Sequence, residues 1–192
     1  EVENLAKSYD KIVLCLGEYS RQSGEGIART NITLDESQIL LLEAIFNVNP
    51  NVVVTVQAGR PLDLQVINEM KVPIVYTWLL GTQSGNAIVD TLYGLNNPSG
   101  KTTVSFPLSV GHIPVYYNHL NTGRPKLTED QEYVIGYVDS TMKARYPFGY
   151  GLSYSEFKFD NIEVELQDNQ VKVNIDVLNV SNKDGCEVVQ VY

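Results

Sequence analysis

The sequence predicts an α/β fold: a three-layer α/β/α sandwich on a mostly parallel sheet, incomplete at its N-terminal side, followed by the first strands of an immunoglobulin-like β-sandwich. Three observations carry this expectation. Apolar, β-branched runs at residues 12–16, 51–58 and 72–80 alternate with helix-periodic segments, the rhythm of parallel strands joined by right-handed crossovers. A dense cluster of turn-forming residues at 96–100 then breaks that rhythm. After Tyr154 the apolar period becomes two, over residues 157–166, 171–178 and 187–192, with turn signals at 167–170 and 181–185. Three strands are too few for a sandwich, which takes about seven. The C-terminal end therefore reads as a cut within such a domain.

Each element has its own reason. Residues 1–10 place Val2, Leu5, Ala6 and Tyr9 at helical spacing and run straight into the first strand. No charged leader or apolar signal core precedes them, so this end too reads as a cut. The first strand, Ile12 to Leu16, is uniformly apolar, as a fully buried parallel strand would be. Thr33-Leu34-Asp35-Glu36 has the form of a capping box, and the helix it opens carries Ile39, Leu40, Leu42, Ile45 and Phe46 before closing near Asn49-Pro50. A second strand follows at 51–58. Pro61 suits the first position of a short helix reaching about Met70. A third strand at 72–80 leads through Gly81 to Gly85 into a helix at 86–92. Residues 102–106 could form an edge strand stopped by Pro107, and 111–125 have no period of either kind and read as an ordered loop. Residues 126–145 are polar.

Composition bounds the function. The chain has 192 residues, is 43% hydrophobic and 19% charged, and carries a net charge of −9. Nucleic-acid binding needs a surplus of Lys and Arg on some face, so no nucleic-acid partner is expected. No apolar run is long enough to span a bilayer, so no membrane partner is expected either. Cys15 falls inside a strand pattern and Cys186 near the start of another, and both are read as buried free thiols. Twelve tyrosines, clustered between Tyr116 and Tyr154, suit either sugar faces or half-buried packing.

The stretch with chemical promise is the long polar loop after Gly17, far longer than a strand-to-helix connection needs. Open α/β sheets bind ligands beyond the carboxyl ends of their strands. This loop presents Ser23-Gly24-Glu25-Gly26, a carboxylate between two glycines that permit a sharp turn, with Arg29 four residues on. Glu18, at the strand end, is read as satisfying loop amides or pairing with Arg21. Glu25 could serve as the proton donor of a glycosidase, but a second carboxylate about 5 Å from it is also required. Nothing in the chain obviously supplies that group.

Other chemistries find little support. The segment from Gly24 to Arg29 imitates a dinucleotide fingerprint, yet Arg29 stands where the third glycine belongs and the segment lies well past the strand. No cofactor is therefore expected. His112 and His119 lack partners at metal-ligand spacing, so no metal is expected, and each is read as a structural or exposed histidine. There is no nucleophile elbow.

Seven blocks in order carry a resemblance: the strand with GE, SGEG and Arg29; QAGRPL at 57–62; TWLLGTQSGNAIVDTLYG at 77–94; NPSGK at 97–101; SFP at 105–107; IPVYYNHLNTGRP at 113–125; and YPFGYGLSY at 146–154. Together they resemble glycoside hydrolase family 3, most closely its bacterial periplasmic-type β-glucosidases. The resemblance implies that residues 1–145 are the later part of an α/β domain, 146–154 an aromatic linker, and 155–192 the start of a fibronectin type III-like domain. It implies a retaining mechanism in which an N-terminal TIM barrel, absent from this chain, supplies a nucleophilic aspartate. Glu25 then falls on the acid/base position, and Arg29 has a loop-ordering or substrate-orienting role. The implied partners are that barrel and a β-glucoside or oligosaccharide substrate. The implied location is periplasmic or secreted, with the cytoplasm left open. Departures include Gln83-Ser84, Leu95, Thr102-Thr103 and Gly136, none of which touches Glu25. The competing reading is a non-catalytic carbohydrate-binding or scaffold module. A nucleotide binder is the weakest of the three.

Overall fold

The computed structural model describes residues 1–128 and 130–192; Glu129, inside the polar 126–145 segment, lies outside the described residues. The described residues form two units, one of residues 1–82 with 103–148, the other of 83–102 with 149–192.

The first unit is α/β, as expected. Its order is α1 (Val2–Ala6), β1 (Ile12–Gly17), α2 (Glu36–Val48), β2 (Val52–Gln57), α3 (Gln65–Glu69) and β3 (Ile74–Tyr76). The strands form one parallel sheet in the order β1-β2-β3, with Ile12 opposite Val52 and Val54 opposite Ile74. Its core gathers Leu14 and Leu16 of β1, Val52, Val54 and Val56 of β2, Leu42 and Ile45 of α2, and Ile67 of α3. Asn49, just past α2, is buried and donates through Nδ2 to the carbonyls of Ala6 (3.0 Å) and Tyr9 (2.6 Å), tying the N-terminal segment to the helix end.

Several local expectations are corrected. β1 buries only alternate residues: Leu14 and Leu16 face the core while Val13 and Cys15 are exposed. One face of β1 is left uncovered by the described residues, so Cys15 is not a buried thiol. Cys186 is exposed as well, in a segment that carries no regular structure. The helix α2 starts at Glu36 with Asp35 as N-cap, and no side chain caps it. Thr33 lies two residues before that N-cap, and its amide, which a capping box would hand to Glu36, donates to Asn31 Oδ1 at 3.0 Å. α3 begins at Gln65, after Pro61, and the third strand is confined to three residues. That strand ends early because Trp78 adopts a left-handed φ of 52°. Residues 102–106 make an isolated bridge from Phe106 to Tyr146, with no ladder.

In the second unit, α4 (Ser84–Leu92) is followed by the antiparallel pair β4 (Phe157–Gln167) and β5 (Gln170–Asn179). Asp168 (φ 47°) and Asn169 (φ 62°) supply the two left-handed residues that a tight hairpin turn requires. Residues 187–192, expected as a third strand, pair with none of the described strands. The NPSGK segment does more than turn the chain. Asn97 Nδ2 donates to Ser155 Oγ (2.7 Å) and the Asp184 carbonyl (2.9 Å), while its Oδ1 accepts from Ser153 Oγ (3.0 Å) and the Tyr154 amide (2.9 Å). All four places on that amide are used. Lys101 Nζ donates to the Gly151 carbonyl at 2.8 Å and pairs with Glu187 Oε1 at 2.9 Å.

The hydrogen bond from Lys101 holds the Glu187 carboxyl below its ordinary value of 4.5. A carboxylate depressed on folding adds stability above its ordinary pKa, and that stability is lost as pH falls through the lowered folded value. An NMR titration of the Glu187 side-chain carbon is expected to show a midpoint below 4.5 that returns toward it in Lys101→Met. Identical midpoints in the two proteins would contradict this.

Candidate active site

β1 ends at Gly17, where φ is 147° and a Cβ would stand 1.9 Å from the Gln57 carbonyl oxygen. Only glycine fits so close to β2. The same residue is clasped by Gln38 of α2, whose Oε1 accepts from the Gly17 amide and whose Nε2 donates to its carbonyl, both at 2.8 Å. From this fixed point residues 18–31 form a finger that returns to the core at Ile32 and Leu34.

The base of the finger is an ion cluster centred on Glu18. Its side chain is 2% exposed, and Oε1 lies 2.9 Å from both Arg29 Nη1 and Arg60 Nε. Oε2 accepts from the Gly59 amide at 3.1 Å. The Arg29 contact is an aligned hydrogen bond, whereas Arg60 Nε makes a charge contact without hydrogen-bond alignment. A buried charge needs such pairing, because an unpaired one costs several kcal/mol or so in lost hydration. Arg21, the sequence-based partner for Glu18, is exposed and takes no part. Arg29 uses its other arm on the Thr33 carbonyl (3.1 Å) and so binds both ends of the loop together.

Arg60 was not singled out from the sequence. Its Nη2 donates to the Gln22 carbonyl at 2.7 Å and the Ile27 carbonyl at 3.1 Å. Its own carbonyl accepts from the Tyr76 hydroxyl. Burial holds that phenol well above its ordinary range, with the nearby Glu18 charge pushing the same way, so it remains a donor. The Tyr76 ring stands edge-on to Trp78 and Phe106, at centroid distances of 4.8 and 4.9 Å. The one available signal was the sequence QAGRPL, which placed a basic residue at the end of the neighbouring strand.

The tip of the finger is different. Gly24 (φ 142°) and Gly26 (φ 72°) take the backbone angles expected of glycines flanking a sharp turn. Glu25 between them is exposed, and no hydrogen bond or ion pair of the described residues engages it. Arg29, at 16% side-chain exposure, lies at the base and away from the tip turn. His112 is buried and held by Ser109 Oγ on Nδ1 (2.9 Å) and by Ser140 Oγ (2.9 Å) and the Thr141 carbonyl (3.1 Å) on Nε2, a structural tie. Tyr117 stacks on Phe148 at 5.1 Å, and Tyr116 lies against His119. Among the described residues no group of three or more His, Cys, Asp or Glu side chains is placed to hold a metal ion. None of the described helices is long and apolar enough to cross a membrane.

Comparison with known proteins assigns this frame. The profile of the glycosyl hydrolase family 3 C-terminal domain matches residues 1–154. The chain belongs to glycoside hydrolase family 3. Among family 3 relatives, a periplasmic β-glucosidase of Salmonella typhimurium is 41% identical over the whole chain, and a β-glucosidase of Kluyveromyces marxianus 34% identical over 98% of it. The crystal structure of β-glucosidase from Listeria innocua superposes with a TM-score of 0.89 at 38% identity over 95% of the chain. A mutant of that enzyme has also been solved in complex with laminaribiose. This family 3 chain spans about a quarter of each relative's length, 26% of the Salmonella enzyme and 22% of the yeast enzyme.

Proposed function

We propose that this chain contributes the general acid/base to a retaining β-glucosidase-type hydrolase, with Glu25 as the proton-handling group. In this reading an N-terminal TIM barrel of the same enzyme supplies a carboxylate that attacks the anomeric carbon of a β-glucoside. Glu25 protonates the departing glycosidic oxygen as that bond breaks, leaving a covalent glycosyl intermediate. Glu25, now a carboxylate, takes a proton from water as the water attacks and releases the sugar. The observation that carries this is the contrast within one loop: a base locked by ion pairs, and a tip that presents an unengaged carboxylate to solvent. Arg29 acts as a loop-ordering residue, since both arms of its guanidinium are occupied within the finger.

Azide tests the assignment directly. In the complete enzyme carrying Glu25→Gln, azide needs no base to attack the glycosyl intermediate, so turnover of an activated aryl glucoside is expected to rise and β-glucosyl azide to accumulate. A variant whose rate and products ignore azide removes Glu25 from the second step. The 192-residue chain alone lacks the attacking group in this reading, and is expected to leave aryl β-glucosides intact. Hydrolysis by the purified chain, with Glu25→Gln as control, would refute the division of roles.

A further inference from the structure

We propose that Arg60 is a positioning residue for this reaction: held by buried Glu18, it pinches the two limbs of the finger together and thereby sets where Glu25 stands. The inference rests on the acid/base reading above and extends it to a residue outside the loop. Arg60 lies at the end of the neighbouring strand, and its Nη2 bridges the Gln22 and Ile27 carbonyls at 2.7 and 3.1 Å. Those two carbonyls flank the Ser23 to Gly26 turn, so a single nitrogen closes the turn that carries Glu25. The guanidinium meets Glu18 at its Nε, and the backbone that carries it is held at two further points. Glu18 Oε1 lies 2.9 Å from its Nε, Glu18 Oε2 accepts from the preceding Gly59 amide at 3.1 Å, and the Tyr76 hydroxyl donates to the Arg60 carbonyl. Through Tyr76 the clamp is anchored in the aromatic cluster with Trp78 and Phe106. Close packing confirms the contact between finger and strand end: a Cβ on Gly59 would meet Ser23 Oγ at 2.1 Å. The two glycines at the tip make it pliable, so the carbonyl bridge supplies the rigidity that they remove.

Arg60→Lys separates charge from geometry, because lysine keeps a cation beside Glu18 but lacks the planar fork. Misplacing a reacting group by about 1 Å costs roughly 100-fold in rate. In the complete enzyme Arg60→Lys is therefore expected to lower kcat on a glucoside with a poor leaving group by about 10- to 100-fold, with KM changed less than threefold or so. The decisive measurement is the same substitution in a Glu25→Gln background. If Arg60 acts through Glu25, the double variant is expected to be no more than about twofold slower than Glu25→Gln alone. A full, additive loss in that background overturns the proposal, since it marks a merely structural role. An Arg60→Lys enzyme with wild-type kcat also overturns it, while an impaired Glu25→Gln enzyme leaves the acid/base reading standing. A wild-type-like Glu25→Gln enzyme sinks the acid/base reading and this proposal with it. Glu18→Gln, which weakens the hold on Arg60 without removing the acceptor for the Gly59 amide, gives the same cycle should Arg60→Lys fail to fold.

Discussion

Replacing Glu25 by glutamine in the complete enzyme is expected to lower kcat on glucosides with poor leaving groups by about 10²- to 10⁴-fold, the usual contribution of a positioned acid or base. Glutamine keeps the size of the side chain and one hydrogen bond, but it has no proton to give. A poorly departing alcohol needs that proton as the glycosidic bond breaks. A nitrophenolate does not, so its first step survives and the second, water-dependent step becomes limiting. Stopped-flow measurements should then show a burst of phenol equal to the enzyme present, followed by slow turnover. The leaving-group series is the check. A loss of kcat/KM, which reports the first step alone, that is uniform across good and poor leaving groups would mean that Glu25 binds substrate without handling a proton. The exposed tip, free of competing ion pairs among the described residues, is what makes a selective effect expected.

Gly17→Ala is expected to produce the largest loss of stability, at least about 3 kcal/mol. Two costs coincide there. A φ of 147° is unfavourable for any residue with a Cβ, and the added methyl would stand 1.9 Å from the Gln57 carbonyl oxygen, a backbone atom fixed by the β1–β2 ladder. Relief would require parting the strands or releasing the Gln38 clasp. Gly26→Ala is the control. Its φ is 72° and open space surrounds the would-be Cβ, so only the conformational cost of about 1–2 kcal/mol applies. Urea unfolding followed through the single tryptophan, Trp78 in the aromatic cluster, measures both. Equal midpoints for the two variants would contradict the structure at Gly17.

The fold was legible in the sequence wherever burial repeats with a period. β2 is buried at Val52, Val54, Thr55 and Val56, and its β-branched run announced it within a residue at each end. β1 misled because Val13 and Cys15 are as apolar as Leu14 and Leu16, so composition could not tell the covered face from the open one. The capping box at Thr33 failed because the N-cap lies two residues later, at Asp35, and the Thr33 amide is claimed by Asn31 Oδ1. The Asp35 carboxylate accepts from Gln22 Nε2 at 2.9 Å and so is drawn away from the helix it would cap. At the site, Glu25 and Arg29 stood out because a loop of glycines and charges is a local pattern. The Glu18–Arg60 pair could not, since a long loop, α2 and β2 separate its members in the chain. Nothing in a one-dimensional spacing brings Arg60 to the carbonyls of Gln22 and Ile27. Arg21, the near neighbour, was the natural guess and the wrong one.

The bridge across the finger also separates support from contact. Glu18, Arg29 and Arg60 steady the loop at Gln22, Ile27, Thr33 and Gly59, and among the described residues no bond engages the Glu25 side chain. The tip can therefore be lengthened, shortened or re-lettered while its foundation stays intact. That makes it a natural graft point, where the reach of the proposed acid/base toward differently shaped glycosides could be retuned without refolding the sheet beneath.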